Sequence, residues 1–422
     1  MGPSSTMTLT VLLSIVLAAT LYSAGIEAAG ERSLGSVLAS RKELSTYYDL
    51  VKQYPDILLE LPSYAGVTVV APNNKAFSKL QNWDPKNETL VSSLLRYHVL
   101  QGTVATDTIP EGPSTVVPTL LTAKTYTNVS EGQNVLISKQ PREVVIFTSG
   151  QGSRSTLVDG DLSFSGGLIQ VVDTLLVPPE RLELAVRDAY QDLTAFLGAL
   201  YAADLVPLFA ESPNVTIFAP RNEAFQAVAD ALESLPRNEL VRILRYHLVT
   251  GQILSSATFY NSSGPNSTET AAESSFPVSA VLQNSSSSLV STTTSSPTPV
   301  PLHFTRAGND FYVDTARLVQ PDILVANGVV HMIDAVLNPN ASDMHPDTTQ
   351  PTQAPAFAVT GEAHPDNSVS IPFTSALPCV TDCPGPSTAV PSETDSPTTT
   401  GAVTSRRTAS ANGGAQKCKW YR

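Results

Sequence analysis

Few residues in this 422-residue chain have the type and setting to do chemistry, and three histidines come first. His98 and His247 each follow a tyrosine and precede an apolar run, in Leu94-Leu95-Arg96-Tyr97-His98-Val99-Leu100 and Ile243-Leu244-Arg245-Tyr246-His247-Leu248-Val249. His331 sits between Val330 and Met332 on an alternating stretch. An imidazole can shuttle a proton near neutral pH, ligate a metal, or bridge backbone groups. No zinc-type His/Glu pair, Gly-x-Ser-x-Gly elbow, phosphate loop or dinucleotide fingerprint accompanies them, so no catalytic residue, cofactor or metal is expected. The expected role of His98 and His247 is to bond a buried backbone carbonyl and pin a helix-to-strand turn, and His331 reads as structural too.

The carboxylates and thiols add little. Asp173 and Asp334 recur at the ends of two similar stretches, where a lone acid caps a neighbouring turn. Asp159-Gly160-Asp161 looks like a fragment of a calcium loop, but only Asp161 has a counterpart, Asp322, and calcium needs six to eight oxygens. All three cysteines lie late in the chain. Cys379 and Cys383 are close enough for a local disulfide in an oxidising compartment, which leaves Cys418 odd.

These residues sit on a duplicated frame. Thr68-Val69-Val70-Ala71-Pro72-Asn73-Asn74-Lys75-Ala76-Phe77 returns 148 residues later as Thr216-Ile217-Phe218-Ala219-Pro220-Arg221-Asn222-Glu223-Ala224-Phe225. Each copy reads as a buried strand stopped by proline, an asparagine at a turn or helix cap, and the start of an apolar helix face. The Tyr-His segments repeat at an offset of 149, and Gly167-Leu168-Ile169-Gln170-Val171-Val172-Asp173 and Gly328-Val329-Val330-His331-Met332-Ile333-Asp334 at 161. Ordered echoes about 150 residues apart mean two domains rather than a solenoid of short units. The jump in offset places an insertion of about a dozen residues in the Ser/Asn/Thr-rich run from Asn261 to Pro299.

Helical spacing marks Leu44 to Tyr54, then Asp56 to Leu61 after an interruption at Pro55. It also marks Leu90 to Tyr97, Leu240 to Tyr246, and Leu193 to Phe209 with a break at Pro207. Alternating segments at Asn134 to Lys139, Glu143 to Thr148 and Thr156 to Val158 read as strands. Helices first and strands last imply an α+β class, each unit a sheet with helices packed on one side. The boundaries are a leader over 1–28, domains over 34–178 and 181–339, and a tail over 340–422. Val177-Pro178-Pro179-Glu180 between the domains is a stiff spacer.

The Ala-Pro block, the Tyr-His dipeptide and the closing Asn327-Gly328-Val329-Val330-His331-Met332-Ile333-Asp334 block resemble the fasciclin (FAS1) domain family. Repeat one departs at Gly166 and Gln170, where repeat two has Asn327 and His331. The resemblance implies tandem sheet wedges or sandwiches and a non-enzymatic protein of adhesion or matrix contact, with cell-surface or matrix proteins or glycans as partners. It also implies a binding role for Tyr97, His98, Tyr246 and His247, beside the structural one. Alternatives in other classes are a binder of carbohydrate or a small apolar ligand, which needs an open pocket between sheet and helices, and an extracellular hydrolase, which needs convergent acid, base and nucleophile.

The remaining features suit export. Met1 to Ile26 carry no ionisable side chain, and an apolar core from Leu9 to Leu21 runs into small residues, the outline of a secretory leader. That core is short for a membrane anchor. Seven Asn-x-Ser/Thr sequons stand at Asn87, Asn128, Asn214, Asn261, Asn266, Asn284 and Asn340, with Asn214 abutting the Thr216 strand. Beyond Asn340 a Ser/Thr/Pro-rich composition without periodicity reads as a disordered, O-glycosylated stalk. Ser410 to Ala415 would suit a glycolipid attachment site, yet the chain ends in the basic Gln416 to Arg422 rather than a hydrophobic tail, so either the protein is freely secreted or this ending comes from a misread final exon. A net charge of -13 argues against nucleic acid and anionic membrane surfaces.

Overall fold

The computed structural model describes residues 32–61, 64–79, 86–262, 272–274, 302–341, 344–350, 352–357 and 371–378. The leader, Asn266, Asn284, Cys379, Cys383, Cys418 and most of the insertion lie outside the described residues.

Repeat one opens with short helices α1 (Leu34–Ala39), α2 (Ser45–Val51) and α3 (Pro55–Glu60). Pro55 starts α3 at its first turn, where a missing N–H costs nothing, so it begins a helix rather than merely breaking one. Strand β1 (Val67–Pro72) leads into α4 (Asn74–Ser78) and then α5 (Glu88–Tyr97). The strands follow as β2 (Val99–Gln101), β3 (Thr115–Pro118), β4 (Asn134–Gln140), β5 (Val144–Thr148), β6 (Arg154–Phe164) and β7 (Gly167–Val172). Repeat two has α6 (Leu182–Asp188), α7 (Thr194–Ala202), α8 (Val206–Glu211), β8 (Val215–Pro220), α9 (Asn222–Ala227), α10 (Ala229–Glu233) and α11 (Arg237–Tyr246). It continues with β9 (Leu248–Val249), α12 (Ser256–Ser262), β10 (Ala272–Ser274), β11 (Phe304–Ala307), β12 (Asp310–Val313), β13 (Ala316–Val325) and β14 (Gly328–Ile333). Pro207 occupies the first turn of α8, so the break expected there falls earlier, at Ala203 to Leu205.

Both repeats build a seven-stranded mixed sheet, in the orders β2-β1-β7-β6-β5-β4-β3 and β10-β11-β12-β13-β14-β8-β9. The Ala-Pro strand and the closing strand pair in parallel, Val67 with Gly167 and Val215 with Gly328, while their other neighbours are antiparallel. A Cβ on Gly167 or Gly328 would lie 1.9 Å from the carbonyl oxygen of Val67 or Val215, so both closing motifs begin with glycine.

The Ala-Pro strands are buried on both faces, which explains their unbroken apolar run. Val67, Val69 and Ala71 pack on the helices with Leu38, Leu44, Tyr47 and Leu95, whereas Val70 turns to a second core with Tyr97, Val117, Val135 and Phe147. Repeat two divides likewise, Ile217 joining Phe196, Phe209 and Leu244, and Phe218 joining Tyr246, Phe304 and Val313. Helices therefore cover one face, and the far strands supply the second core.

Within the tail, where composition alone predicts a disordered stalk, residues 371–378 pack on the second domain. Phe373 meets Phe225 edge-on with ring centroids 6.0 Å apart, Leu377 is buried, and Phe357 and Ile371 pack on the same core. Apolar side chains spaced through polar sequence thus form a strap across α7.

Candidate functional site

The Tyr-His pair stands where α5 and α11 end, and its two rings point into different cores. The His98 Nδ1–H donates to the Leu94 carbonyl at 2.8 Å, and its Nε2 accepts from the Leu176 N–H at 3.0 Å. His247 does the same between Ile243 O (2.9 Å) and Leu337 N (3.0 Å). An amide donor at Nε2 fixes the neutral tautomer with the proton on Nδ1. Each histidine thus ties the last turn of a helix to the chain just past the closing strand. Burial holds both imidazoles down at a pKa of about 4.

The tyrosines turn toward the second core. Tyr97 donates to the Asn134 carbonyl at 2.9 Å and Tyr246 to the Asp314 carboxylate at 2.9 Å. Burial raises both phenols above their ordinary range, and it pushes Asp314 up to about 6. All four motif side chains are buried, at 0% exposure for Tyr97, Tyr246 and His247 and 1% for His98. The resemblance implied a partner-contact role for these four residues, and none of them lies on the folded surface.

A second repeated cluster was not read as such from sequence. The Thr68 hydroxyl donates to Gly102 O (2.9 Å) and accepts from Val104 N (2.8 Å), and Thr216 holds Gln252 O and Leu254 N at the same two distances. From the neighbouring closing strand, the His331 Nε2–H donates to Leu254 O at 2.7 Å while Nδ1 accepts from Asp322 N at 3.2 Å. Gln170 reproduces this, donating to Val104 O (2.9 Å) and accepting from Asp161 N (3.0 Å). The departure of repeat one at Gln170 is therefore an exchange of one donor-acceptor bridge for another. Asp161 and Asp322 sit at φ 56° and 60° and accept from the amides of Thr106 and Ser256, at 3.1 and 2.8 Å. They are turn aspartates, as expected.

Asp173 and Asp334 do more than cap a turn. Each exchanges two bonds with the strand opposite, Asp173 with Thr156 (3.1 and 2.8 Å) and Asp334 with Arg317 (3.0 and 2.7 Å), carrying the pairing past the strand end. Asn74 and Asn222 pin the first turns of α2 and α7, accepting from Thr46 N (3.0 Å) and Ala195 N (2.8 Å). Among the described residues no group of three or more His, Cys, Asp or Glu side chains could hold a metal.

The sequons divide by position. Asn87 and Asn340 are exposed, Asn87 capping α5 through Leu90 N at 3.1 Å. Asn128 and Asn214 lie at the seam between the domains, where Asn128 Nδ2 donates to Glu211 O and Asn214 Nδ2 to the Ser130 hydroxyl, at 2.5 and 2.8 Å. No described helix is long and apolar enough to cross a membrane.

The fasciclin domain model matches residues 42–178 and 191–339. A fasciclin-like arabinogalactan protein of Arthroderma benhamiae is 27% identical over 83% of this chain and 76% of its own length, and one of Phaeosphaeria nodorum is 28% identical over 72% and 88%. Human periostin is 23% identical over 71% of this chain and 30% of its own length. Among solved structures, a FAS1 domain pair from the insect cell adhesion molecule fasciclin I covers 71% of the chain at 14% identity and a TM-score of 0.32. With two matched copies filling more than half its length, the chain belongs to the fasciclin domain family.

Proposed function

We propose that this is a secreted or cell-surface protein of adhesion or matrix contact, acting through the outer surfaces of its two domains on matrix or cell-surface proteins or glycans. One observation carries this reading: the motif histidines are sealed inside, with both ring nitrogens of each held by the main chain. A group so held offers neither a free lone pair nor a path for a proton, which supports surface recognition over chemistry at these histidines. The relatives support the class, among them periostin and the fungal fasciclin-like proteins. Two domains on one chain let weak contacts add through avidity.

The alternative of a small apolar ligand has less support. A cleft of about 300 Å³ beside the sheet of repeat two is lined by Asp188, Tyr190, Gln191, Asp192, Gln320 and Met332, a largely polar wall.

The test is retention of beads coated with the full-length chain on cell-wall or matrix preparations, with excess free protein as competitor. Competable retention well above albumin-coated beads is expected. Retention equal to the albumin control at every coating density would sink the reading.

A further inference from the structure

Docking of the two domains uses the atom at which a glycan would be attached. Domain one presents Thr127, Asn128, Ser130 and Gln133 to the turn before β14 and to the chain entering β8. Ala326 O accepts from Asn128 N (2.8 Å), Thr127 Oγ1 (3.0 Å) and the buried Gln133 (3.2 Å). Beside them Asn214 forks onto one residue, its Oδ1 accepting from Ser130 N at 2.9 Å and its Nδ2 donating to Ser130 Oγ at 2.8 Å. Asn214 holds φ 52°, a left-handed conformation that asparagine tolerates better than most side chains.

We propose that Asn214 is a docking residue rather than a glycan acceptor, so that glycosylation of its side chain and seating of the second domain exclude each other. For both ends of one carboxamide to meet one residue, the Nδ2 hydrogen used must be the one cis to Oδ1. N-glycosylation from a lipid-linked oligosaccharide diphosphate forms a bond between Nδ2 and the anomeric carbon, releasing the lipid diphosphate and one Nδ2 proton. The product is a secondary amide. Like a peptide bond it is trans, which puts the sugar cis to Oδ1 and leaves only the opposite hydrogen. The sugar takes the place of the hydrogen bond to Ser130. Ser130 is also the hydroxyl residue of the Asn128 sequon, and Asn128 Nδ2 is itself spent on Glu211 O at 2.5 Å.

Two measurements on the full chain test this. In protein secreted from a eukaryotic host, glycopeptide mass spectrometry is expected to find Asn214 unmodified while exposed Asn87 or Asn340 carries glycan. Asn214 modified in most molecules, with hydrogen exchange at the seam as slow as in unglycosylated protein, overturns the proposal. The second measurement needs no secretion: in bacterially made protein, Asn214→Gly removes the carboxamide and tolerates the positive φ. The Asn128 and Ser130 amides are expected to exchange at least tenfold faster, with Leu176 and Leu337 unchanged; unaltered rates at Asn128 and Ser130 overturn it. This inference rests on the secreted reading in its first arm alone. If no sequon is occupied, the glycopeptide arm does not report on Asn214 and the Asn214→Gly exchange decides the docking role.

Discussion

His331 and Gln170 show that the hydrogen-bond pattern at this position matters more than the ring. His331→Gln should therefore fold, with stability at pH 7 within about 1 kcal/mol of the parent, because one bridge replaces another. Acid should separate the two proteins. In the folded protein burial holds His98 and His247 near 4 and lowers His331, whereas an open chain titrates near 6.5. The unfolded state thus binds protons first as pH falls. Stability from His98 and His247 is complete above pH ~6.5 and is lost as pH drops toward 4, about 3 kcal/mol each, and that from His331 is lost in the same direction. Asp314 has the opposite sign: burial raises it to about 6, so its contribution is present at low pH and is lost as pH rises through that value. Thermal unfolding of His331→Gln at pH 5 and 7 should show a smaller acid loss in repeat two than in the parent. An equal loss would mean His331 does not titrate between the states. The tie from His98 to a helix end was legible in its place after Tyr97. The exchange of histidine for glutamine was not, because the two side chains share no chemistry except one donor and one acceptor at similar reach.

At the scale of elements, the strap over α7 yields the sharpest test. A Cβ at Gly198 would lie 2.2 Å from the Phe373 carbonyl oxygen, and this contact is backbone, which cannot swing aside. Gly198→Ala should lift residues 371–378, lower stability by about 1–3 kcal/mol in a urea titration, and speed proteolysis near Phe373. Unchanged cleavage at that site would show that the strap does not depend on close approach. Strands β1 and β8 could be read directly, since residues buried on both faces give an apolar run, and the helices before each Tyr-His pair could be read from their spacing. The strap was hidden by the Ser/Thr/Pro composition around it. A signal was present in α7 itself: Thr-Ala-Phe-Leu-Gly-Ala-Leu-Tyr-Ala has six of nine residues buried and no charged face, so something had to cover its outer side. In repeat one the equivalent α2 reads Ser-Thr-Tyr-Tyr-Asp-Leu-Val and leaves part of its face in water.

For the whole molecule, the seam decides whether the repeats unfold together. Gln133 is fully buried and donates to Val325 O and Ala326 O across it, both at 3.2 Å. Gln133→Ala should cost about 1–3 kcal/mol by removing both bonds across the seam from a buried site, and should split a joint calorimetric transition into two. A single unshifted transition would show that the repeats do not share their stability there. The Pro-Pro spacer is held from both sides, Val177 O accepting from Gly150 N at 2.7 Å and Glu180 O from Ala326 N at 2.8 Å. Duplication was plain in the sequence because it repeats whole motifs. The seam was not, because it is made of main-chain groups and short polar side chains with no periodicity.

The parallel pairing of β1 with β7 and of β8 with β14 also bears on how a ribosome makes this protein. Val67 waits for Gly167, a hundred residues further on, and Val215 for Gly328. At ~5–20 residues per second that is roughly 5–20 s in which an apolar strand lacks one flank. A message cut inside either repeat would release that strand unpaired, and the product should aggregate; one cut between the repeats would release a first repeat whose sheet is already closed.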